Sequence, residues 1–397
     1  MAEVTNKKAL LALAIGGFGI GMTEFVIMGI LPDVAAALNI SIPKAGHFIS
    51  AYALGVVVGA PLLTTIGNKW APHKMLLYLM IWFTVFNTIS AFADSYSLLL
   101  VARFLSGLPH GAFFGIGAVV AGKLAREGKS AKAIATMFSG LTIANVIGVP
   151  LGTYVGHHYH WSISFMIVGV IGIMTMLSIY FWMPKVETTP SRGMANEFKV
   201  FKNLDFLGLI VLTMVGTGGF FAWYSYIAPL ITDVAGLNEN IVSYAMIIAG
   251  LGMVVGNFVG AKLAEIFSPL KAVIISLVVM VCVLLINSFV ASSGYVVLLM
   301  TFIIGMTAFT VSTPIQMAVI KSAKGSEMLG SSANQSAFNM GNASGAFFAG
   351  LPIAYGLSYT SASIVGAIMA SSGVVLAISI LWYRKNKATK QGLVFQN

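Results

Sequence analysis

Two side chains of fixed charge stand deep inside apolar stretches of this sequence, Glu24 and Arg103. A charge at the middle of a membrane helix costs about 2.5–3.5 kcal/mol on insertion scales, so a residue kept there is a functional hypothesis by default. Glu24 falls seven residues before the outer end of its run, near Leu31, and Arg103 six residues after the outer start of its own, near Ser97. At the helical rise both lie about 10 Å deep. Opposite charges at equal depth can pair. Burial and a nearby guanidinium pull a carboxyl's proton affinity in opposite directions, which is the basis of a proton switch, while the arginine stays charged throughout. The other reading of the same two residues is a permanent ion pair that fixes helix packing. His110 follows Arg103 by seven residues, on the same helix face. Imidazole changes charge near neutrality, so His110 either extends a proton path inward or bonds, neutral, across helices.

The second half of the chain offers amides and rings instead of charges. Gln335, Asn339 and Asn342 recur at i, i+4 and i+7, one face of a helix. Trp223, Tyr224 and Tyr226 cluster on an earlier run, and Gln316 sits on another. Amides bond hydroxyls and rings stack on apolar faces, which suits a small polyhydroxyl or amphipathic solute. The competing reading is structural, because polar side chains also join membrane helices to each other. His157, His158 and His160 read as a solvated outer loop, with neither carboxylate nor cysteine beside them to complete a metal site, and Asp33 reads as an interfacial loop acid. No metal is expected. Gly17-Phe18-Gly19-Ile20-Gly21 is no dinucleotide loop, because it lies within an apolar run without a preceding strand. Gly148, Pro150 and Gly152 can kink or hinge their helix, or simply let it pack closely. No phosphate-binding lysine motif is present, so the expectation is no cofactor, with a proton gradient as the energy source.

The elements that must position these residues follow from composition. Of 397 residues, 58% are hydrophobic and 9% charged, against roughly 25% charged in soluble domains. Too few charges remain to coat a water-soluble body. About twelve runs have the ~20 apolar residues that span a bilayer: 8–31, 44–67, 75–93, 97–122, 133–156, 163–183, 206–231, 241–264, 272–291, 294–320, 330–353 and 361–383. The first, although preceded by Lys7 and Lys8, is too long for a secretory signal and reads as a retained helix. With the N-terminus inside, 20 of the 22 basic residues fall on inner segments. That partition predicts an even number of spans and both termini cytoplasmic. It also explains the net charge of +10, which faces anionic lipid rather than nucleic acid. The single cysteine, Cys282, excludes a disulfide within the chain.

The fold class expected is an all-α membrane protein, twelve transmembrane helices in two pseudo-symmetric halves. The divisions are 1–183, a cytoplasmic linker 184–205, 206–383, and a basic cytoplasmic tail 384–397. An internal repeat supports the halves. Residues 53–60 (ALGVVVGA) match 250–257 (GLGMVVGN), and 70–74 (WAPHK) match 267–271 (FSPLK), both at an offset of 197. Asp33-Val34-Ala35 is echoed by Asp233-Val234-Ala235. Parallel six-helix repeats describe a secondary transporter.

Four segments carry a further resemblance: Tyr52-Ala53-Leu54-Gly55 through Gly59-Ala60-Pro61, Arg103 to Gly111 (RFLSGLPHG), Phe221 to Tyr226 (FAWYSY) and Ala337 to Asn342 (AFNMGN). In these the chain resembles the major facilitator superfamily, drug:H+ antiporter branch, and within it AraJ-type sugar-efflux transporters. The resemblance spans nearly the whole chain. It implies the twelve-helix fold of that superfamily, alternating access, and a role for Arg103, which matches the family's fourth-helix arginine. The family's loop motif between helices two and three falls on Asn68, Lys69 and Lys74, with Asn68 in place of the usual acid. The second copy keeps an acid, Glu265, followed by Lys271. Gly148-Val149-Pro150-Leu151-Gly152 is a variant of the fifth-helix antiporter motif. The reading is a monomeric bacterial inner-membrane transporter, not an enzyme, whose partners are protons, lipid and a small solute leaving in exchange for protons. The alternatives are symport or uniport in the same fold, a membrane-embedded enzyme, for which only Glu24 with His110 comes near, and a sensor without flux.

Overall fold

The computed structural model describes residues 2–67, 70–125, 130–186, 198–324 and 326–390. Asn68 and Lys69, residues 187–197 of the expected linker and 391–397 of the expected tail lie outside the described residues. Apolar runs must satisfy their backbone groups internally, and these do so as helices. In chain order they are α1 (Ala2–Gly29), the short α2 (Leu31–Ala37) and α3 (Ile42–Ala45), α4 (His47–Gly67), α5 (Pro72–Ala91), α6 (Tyr96–Leu124), α7 (Ser130–Ile143), α8 (Val149–His158) and α9 (Trp161–Trp182). The second series is α10 (Leu204–Tyr224), the short α11 (Ile227–Pro229), α12 (Asn240–Phe267), α13 (Pro269–Val290), α14 (Val296–Ser322), α15 (Glu327–Ala354) and α16 (Ser361–Lys390). Local chemistry sets several of the ends. α5 begins on Pro72, where the missing N–H is no loss. The side chain of Asn203 accepts from the Asp205 N–H to open α10.

Eleven stretches among the described residues are long and apolar enough to cross a membrane. This is a multi-pass membrane protein. The twelfth expected run, 330–353, is helical: α15 has 28 residues, about 42 Å. It falls short only in apolarity, because Ser331, Ser332, Asn334, Gln335, Ser336, Asn339 and Asn342 interrupt it. The helix least suited to lipid is the one that carries the amide face.

The run 133–156 is not one uniform helix. α7 passes into a π-helical turn, Ala144–Gly148, before α8 resumes. Pro150 has no N–H to give the carbonyl four residues earlier, and such wide turns absorb that loss. A Cβ on Gly148 would meet the Phe18 ring at 2.8 Å, and one on Gly152 would meet Val26 at 2.7 Å. These glycines let α8 lie against α1.

Two compact units emerge from the contacts. The first comprises Met1–Met194 with Ile227–Thr232 and Asn238–Ile247; the second comprises Ala195–Tyr226, Asp233–Leu237 and Ile248–Asn397. They follow the sequence halves except for two short segments after α10, which cluster with the first unit. In that unit α1 packs on α7 and α9, α5 on α6 and α9, and α4 on α6. Leu13, Ile20, Leu79, Phe83, Phe113, Met137 and Val168 fill its interior. In the second unit α10 packs on α15 and α16, and α13 on α14 and α16.

The repeat at offset 197 has a structural cause. A Cβ on Gly55 would lie 2.1 Å from the Phe104 carbonyl oxygen, and one on Gly59 would lie 2.0 Å from that of Leu108. In the second unit Gly252 and Gly256 meet the Phe302 and Met306 carbonyl oxygens at 2.3 and 2.1 Å. Each unit therefore holds an equivalent backbone-to-backbone seam, α4 on α6 and α12 on α14, that only glycine permits. From the α6 side, a Cβ on Gly107 would come within 2.1 Å of the Tyr52 carbonyl oxygen.

Candidate functional site

The α4–α6 seam brings Tyr52 against Arg103. The guanidinium carbon lies 4.3 Å from the centre of the Tyr52 ring and 5.3 Å from that of Phe165 on α9. Arg103 is fully buried. Its Nη1 donates to Thr23 Oγ1 (2.9 Å) and its Nη2 to the Thr23 carbonyl oxygen (3.0 Å). The Thr23 hydroxyl donates in turn to Asn87 Oδ1 on α5 (2.5 Å), and Asn87 Nδ2 donates to the Phe83 carbonyl oxygen. Arg103 thus stands level with the residue next to Glu24, as equal depth required. Its hydrogen bonds go to Thr23 rather than to the Glu24 carboxylate. Glu24 is itself buried and within electrostatic range of both Arg103 and Tyr52.

His110 joins the same array through Tyr52. Tyr52 Oη and His110 Nδ1 are 3.2 Å apart, and the two rings lie at 5.9 Å. On its other side His110 packs on Phe114 at 5.4 Å. Arg103 and His110 are therefore neighbours of one residue that sequence reasoning passed over as a site, Tyr52. Thr23 and Asn87 were missed as well. Asn87 had left a signal, as a lone amide in the middle of an apolar run. Tyr52 and Thr23 had left none.

In the second unit the candidates divide by what their polar atoms already do. Gln316 is engaged at both amide atoms: its Nε2 donates to Ser331 Oγ (2.8 Å), and its Oε1 accepts from Asn334 Nδ2. Asn334 Oδ1 accepts from Thr213 on α10 (2.7 Å). This chain ties α10, α14 and α15 together. Tyr226 is also used, donating to the Ala346 carbonyl oxygen (3.0 Å). Asn339 donates to the Gln335 carbonyl oxygen (3.1 Å) and leaves its own Oδ1 without a hydrogen-bond partner. Asn342, fully buried, has a partner at neither amide atom, and Trp223 has none at Nε1. Native interiors pair nearly all such groups, so these atoms keep hydrogen-bonding capacity that the protein itself does not use. Phe220 stacks on Tyr224 at 4.9 Å and lies 6.1 Å from the Trp223 ring. Gln335 is half-buried on the same face.

The described loop-motif residues are peripheral. Lys74 is exposed in the first turn of α5; Glu265 is exposed and Lys271 half-buried on either side of the α12–α13 turn. The three outer histidines are not one solvated loop. His157 closes α8 with its side chain 5% exposed, and its Nδ1 is 2.7 Å from Asp33 Oδ2, an ion-pair distance without hydrogen-bond alignment. His158 bonds to the Tyr154 carbonyl oxygen, and His160 caps α9. Among the described residues no group of three or more metal-ligating side chains comes together.

The sequence profile of the Major Facilitator Superfamily matches residues 13–350. The chain is 36% identical over 382 residues to AraJ of Escherichia coli strain K12, designated a transporter, covering 96% of this chain and 97% of that one. It is 39% identical to the inner membrane transport protein YdhP of the same strain, with the same coverage. It is 34% identical over 381 residues to the uncharacterized MFS-type transporter YtbD of Bacillus subtilis strain 168, covering 94% of this chain and 96% of that one.

Proposed function

The chain belongs to the major facilitator superfamily, and on that premise we propose that it is a proton-coupled efflux transporter of the bacterial inner membrane. It exchanges a small, neutral, hydroxyl-bearing solute for protons by alternating access. It works as a twelve-helix monomer with halves 1–183 and 206–383 and cytoplasmic termini. Coupling belongs to Glu24, Arg103 and His110. Solute recognition belongs to Asn339, Asn342 and Trp223, walled by Tyr224. Gln316 and Tyr226 brace that site, and Gln335 lines its edge.

The observation that carries the proposal is the buried array around Arg103. Burying a charge is expensive unless it is bonded, and here an apolar bundle keeps both a cation and a carboxyl within range of it. A purely structural tie needs no carboxyl beside it. The unpartnered atoms of the second unit speak for a neutral solute. They supply donors (Asn342 Nδ2, Trp223 Nε1) and acceptors (Asn342 Oδ1, Asn339 Oδ1) and no charge, which suits hydroxyls that both give and accept. The energetics suffice. A potential of about 100 mV supplies about 2.3 kcal/mol per charge, and a tenfold proton gradient adds about 1.4 kcal/mol. One proton then sustains a gradient of about 500-fold for an uncharged solute.

The test is solute movement in proteoliposomes that enclose a pH-sensitive dye. A panel of radiolabelled pentoses, beginning with L-arabinose, is driven by an imposed pH gradient. Solute and proton fluxes in opposite directions, both lost in Glu24→Gln while solute exchange persists, support the proposal. Full pH-driven flux through Glu24→Gln removes it.

A further inference from the structure

The π-helical turn between α7 and α8 leaves one buried residue, Asn145, with two oxygen atoms that its own helix does not occupy. The first is its main-chain carbonyl. An α-helix would bond it to the N–H of Val149, four residues on, and a π-turn to that of residue 150, five residues on. The Val149 N–H goes to the Ala144 carbonyl oxygen instead, and Pro150 has no N–H to give. The second is the side-chain Oδ1. Asn145 Nδ2 donates to the Leu141 carbonyl oxygen (3.1 Å), which fixes the amide with its oxygen turned away from that carbonyl. Oδ1 has no hydrogen-bond partner among the described residues, and Asn145 is 3% exposed.

Helix packing does not account for an amide at this position. Ile143, Ile147 and Leu151 form the exposed side of the stretch, so Asn145 lies on the opposite side, toward the interior of the first unit. The turn rests on α1 through other residues: a Cβ on Gly21 would lie 3.0 Å from Ala144 Cβ, and one on Gly148 would meet the Phe18 ring. The Asn145 side chain bonds only its own helix. Asn87 and Asn334, by contrast, bond across to neighbouring helices. Acceptors buried without donors cost stability, and turns of this width recur at functional sites.

We propose that Asn145 is a solute-binding residue of the first unit, whose carbonyl and amide oxygens take hydrogens from solute hydroxyls. This deepens the function proposed above and rests on it. Both unused atoms are acceptors, so they select a group with hydrogens to give. A hydroxyl fits, whereas an ionised carboxylate brings acceptors only and is turned away. Both atoms are closed off from solvent in the present state, and the change of state in alternating access is what brings solute to them. Solute hydroxyls then supply the bonds that the helix withholds. Pro150 keeps the carbonyl open for this role, because any other residue there would bring an N–H to the same turn.

The experiment is calorimetric titration of the full-length purified protein with L-arabinose and its singly deoxygenated analogues, at one pH and without a gradient, beside thermal unfolding. Asn145→Leu keeps the size of the side chain and removes its polar atoms. It is expected to melt within about 2 °C of wild type or above it, and to bind L-arabinose about tenfold more weakly. An analogue that wild type binds about tenfold more weakly than L-arabinose should lose nothing further in Asn145→Leu, because the hydroxyl and its acceptor form one pair. Pro150→Ala restores an N–H beside the carbonyl and should weaken binding several-fold. Unchanged affinity in either variant overturns the proposal, as does a wild type that binds none of these sugars, or a set of analogue penalties that all persist at full size in Asn145→Leu. If Asn145→Leu does not fold, Asn145→Ala is read in its place. Unchanged affinity in the variants with pH-driven flux intact in wild type removes the Asn145 site alone. Absence of proton-coupled flux, with these titrations as expected, removes the proposed coupling and leaves the site standing.

Discussion

Replacing Gly107 by alanine tests the seam on which the whole array depends. The added Cβ would sit 2.1 Å from the Tyr52 carbonyl oxygen, where ordinary contact begins near 3.4 Å. The obstacle is backbone, so it cannot rotate away. α4 and α6 must part by roughly 1.3 Å, or the mutated helix must bend, an overpacking cost of about 1–3 kcal/mol. For a unit of this size the apparent melting temperature should fall by about 3–10 °C. Tyr52 would retreat from Arg103 by a comparable distance, weakening the cation–ring contact. Gly122, on the same helix, is the control: a Cβ there meets nothing within 4 Å, so Gly122→Ala should be neutral or stabilising by up to about 1 kcal/mol. Gly252→Ala should repeat the loss in the second unit, because its Cβ would lie 2.3 Å from the Phe302 carbonyl oxygen. Thermal unfolding followed by tryptophan fluorescence reads all three. Wild-type melting of both Gly107→Ala and Gly252→Ala would refute the reasoning.

Asn334→Ala strips partners from Gln316 and Thr213 and should cost about 1–3 kcal/mol of stability, whereas Asn342→Ala should leave the melting temperature within about 2 °C and weaken pentose flux. Equal effects of the two on stability would contradict the division between brace and binding atoms. Arg103→Ala should impair coupling more than Arg103→Lys, because lysine keeps a charge but cannot bond Thr23 at two points; pH-driven flux in proteoliposomes ranks them. Ser268, before α13, has φ 76° and ψ 151°, a conformation that favours glycine. Ser268→Gly should therefore stabilise by about 1 kcal/mol, read as a raised melting temperature.

Much of this architecture was legible because its causes are local or periodic. A span shows itself in any apolar run. The face of Gln335, Asn339 and Asn342 follows from a 3.6-residue period, and the glycines at 55, 59, 252 and 256 repeat because backbone contact tolerates nothing else. What stayed hidden is pairing over long sequence distances. Nothing near Arg103 in the chain announces Thr23, 80 residues earlier, or the Tyr52 ring. Gln316 and Asn342 look alike in sequence, and only their neighbours show that one is bonded at both amide atoms and the other at neither. His157 read as loop because its partner, Asp33, lies on another element.

The central claim is that the buried Glu24 carboxyl gains and loses a proton. Infrared difference spectroscopy of the purified protein, stepped from acidic to alkaline buffer, tests it without knowledge of the solute. The account predicts a buried carboxylic-acid band that disappears as the pH rises and is missing at every pH from Glu24→Gln. The same titrating band in Glu24→Gln, or no titrating buried carboxyl in the wild type, would contradict it.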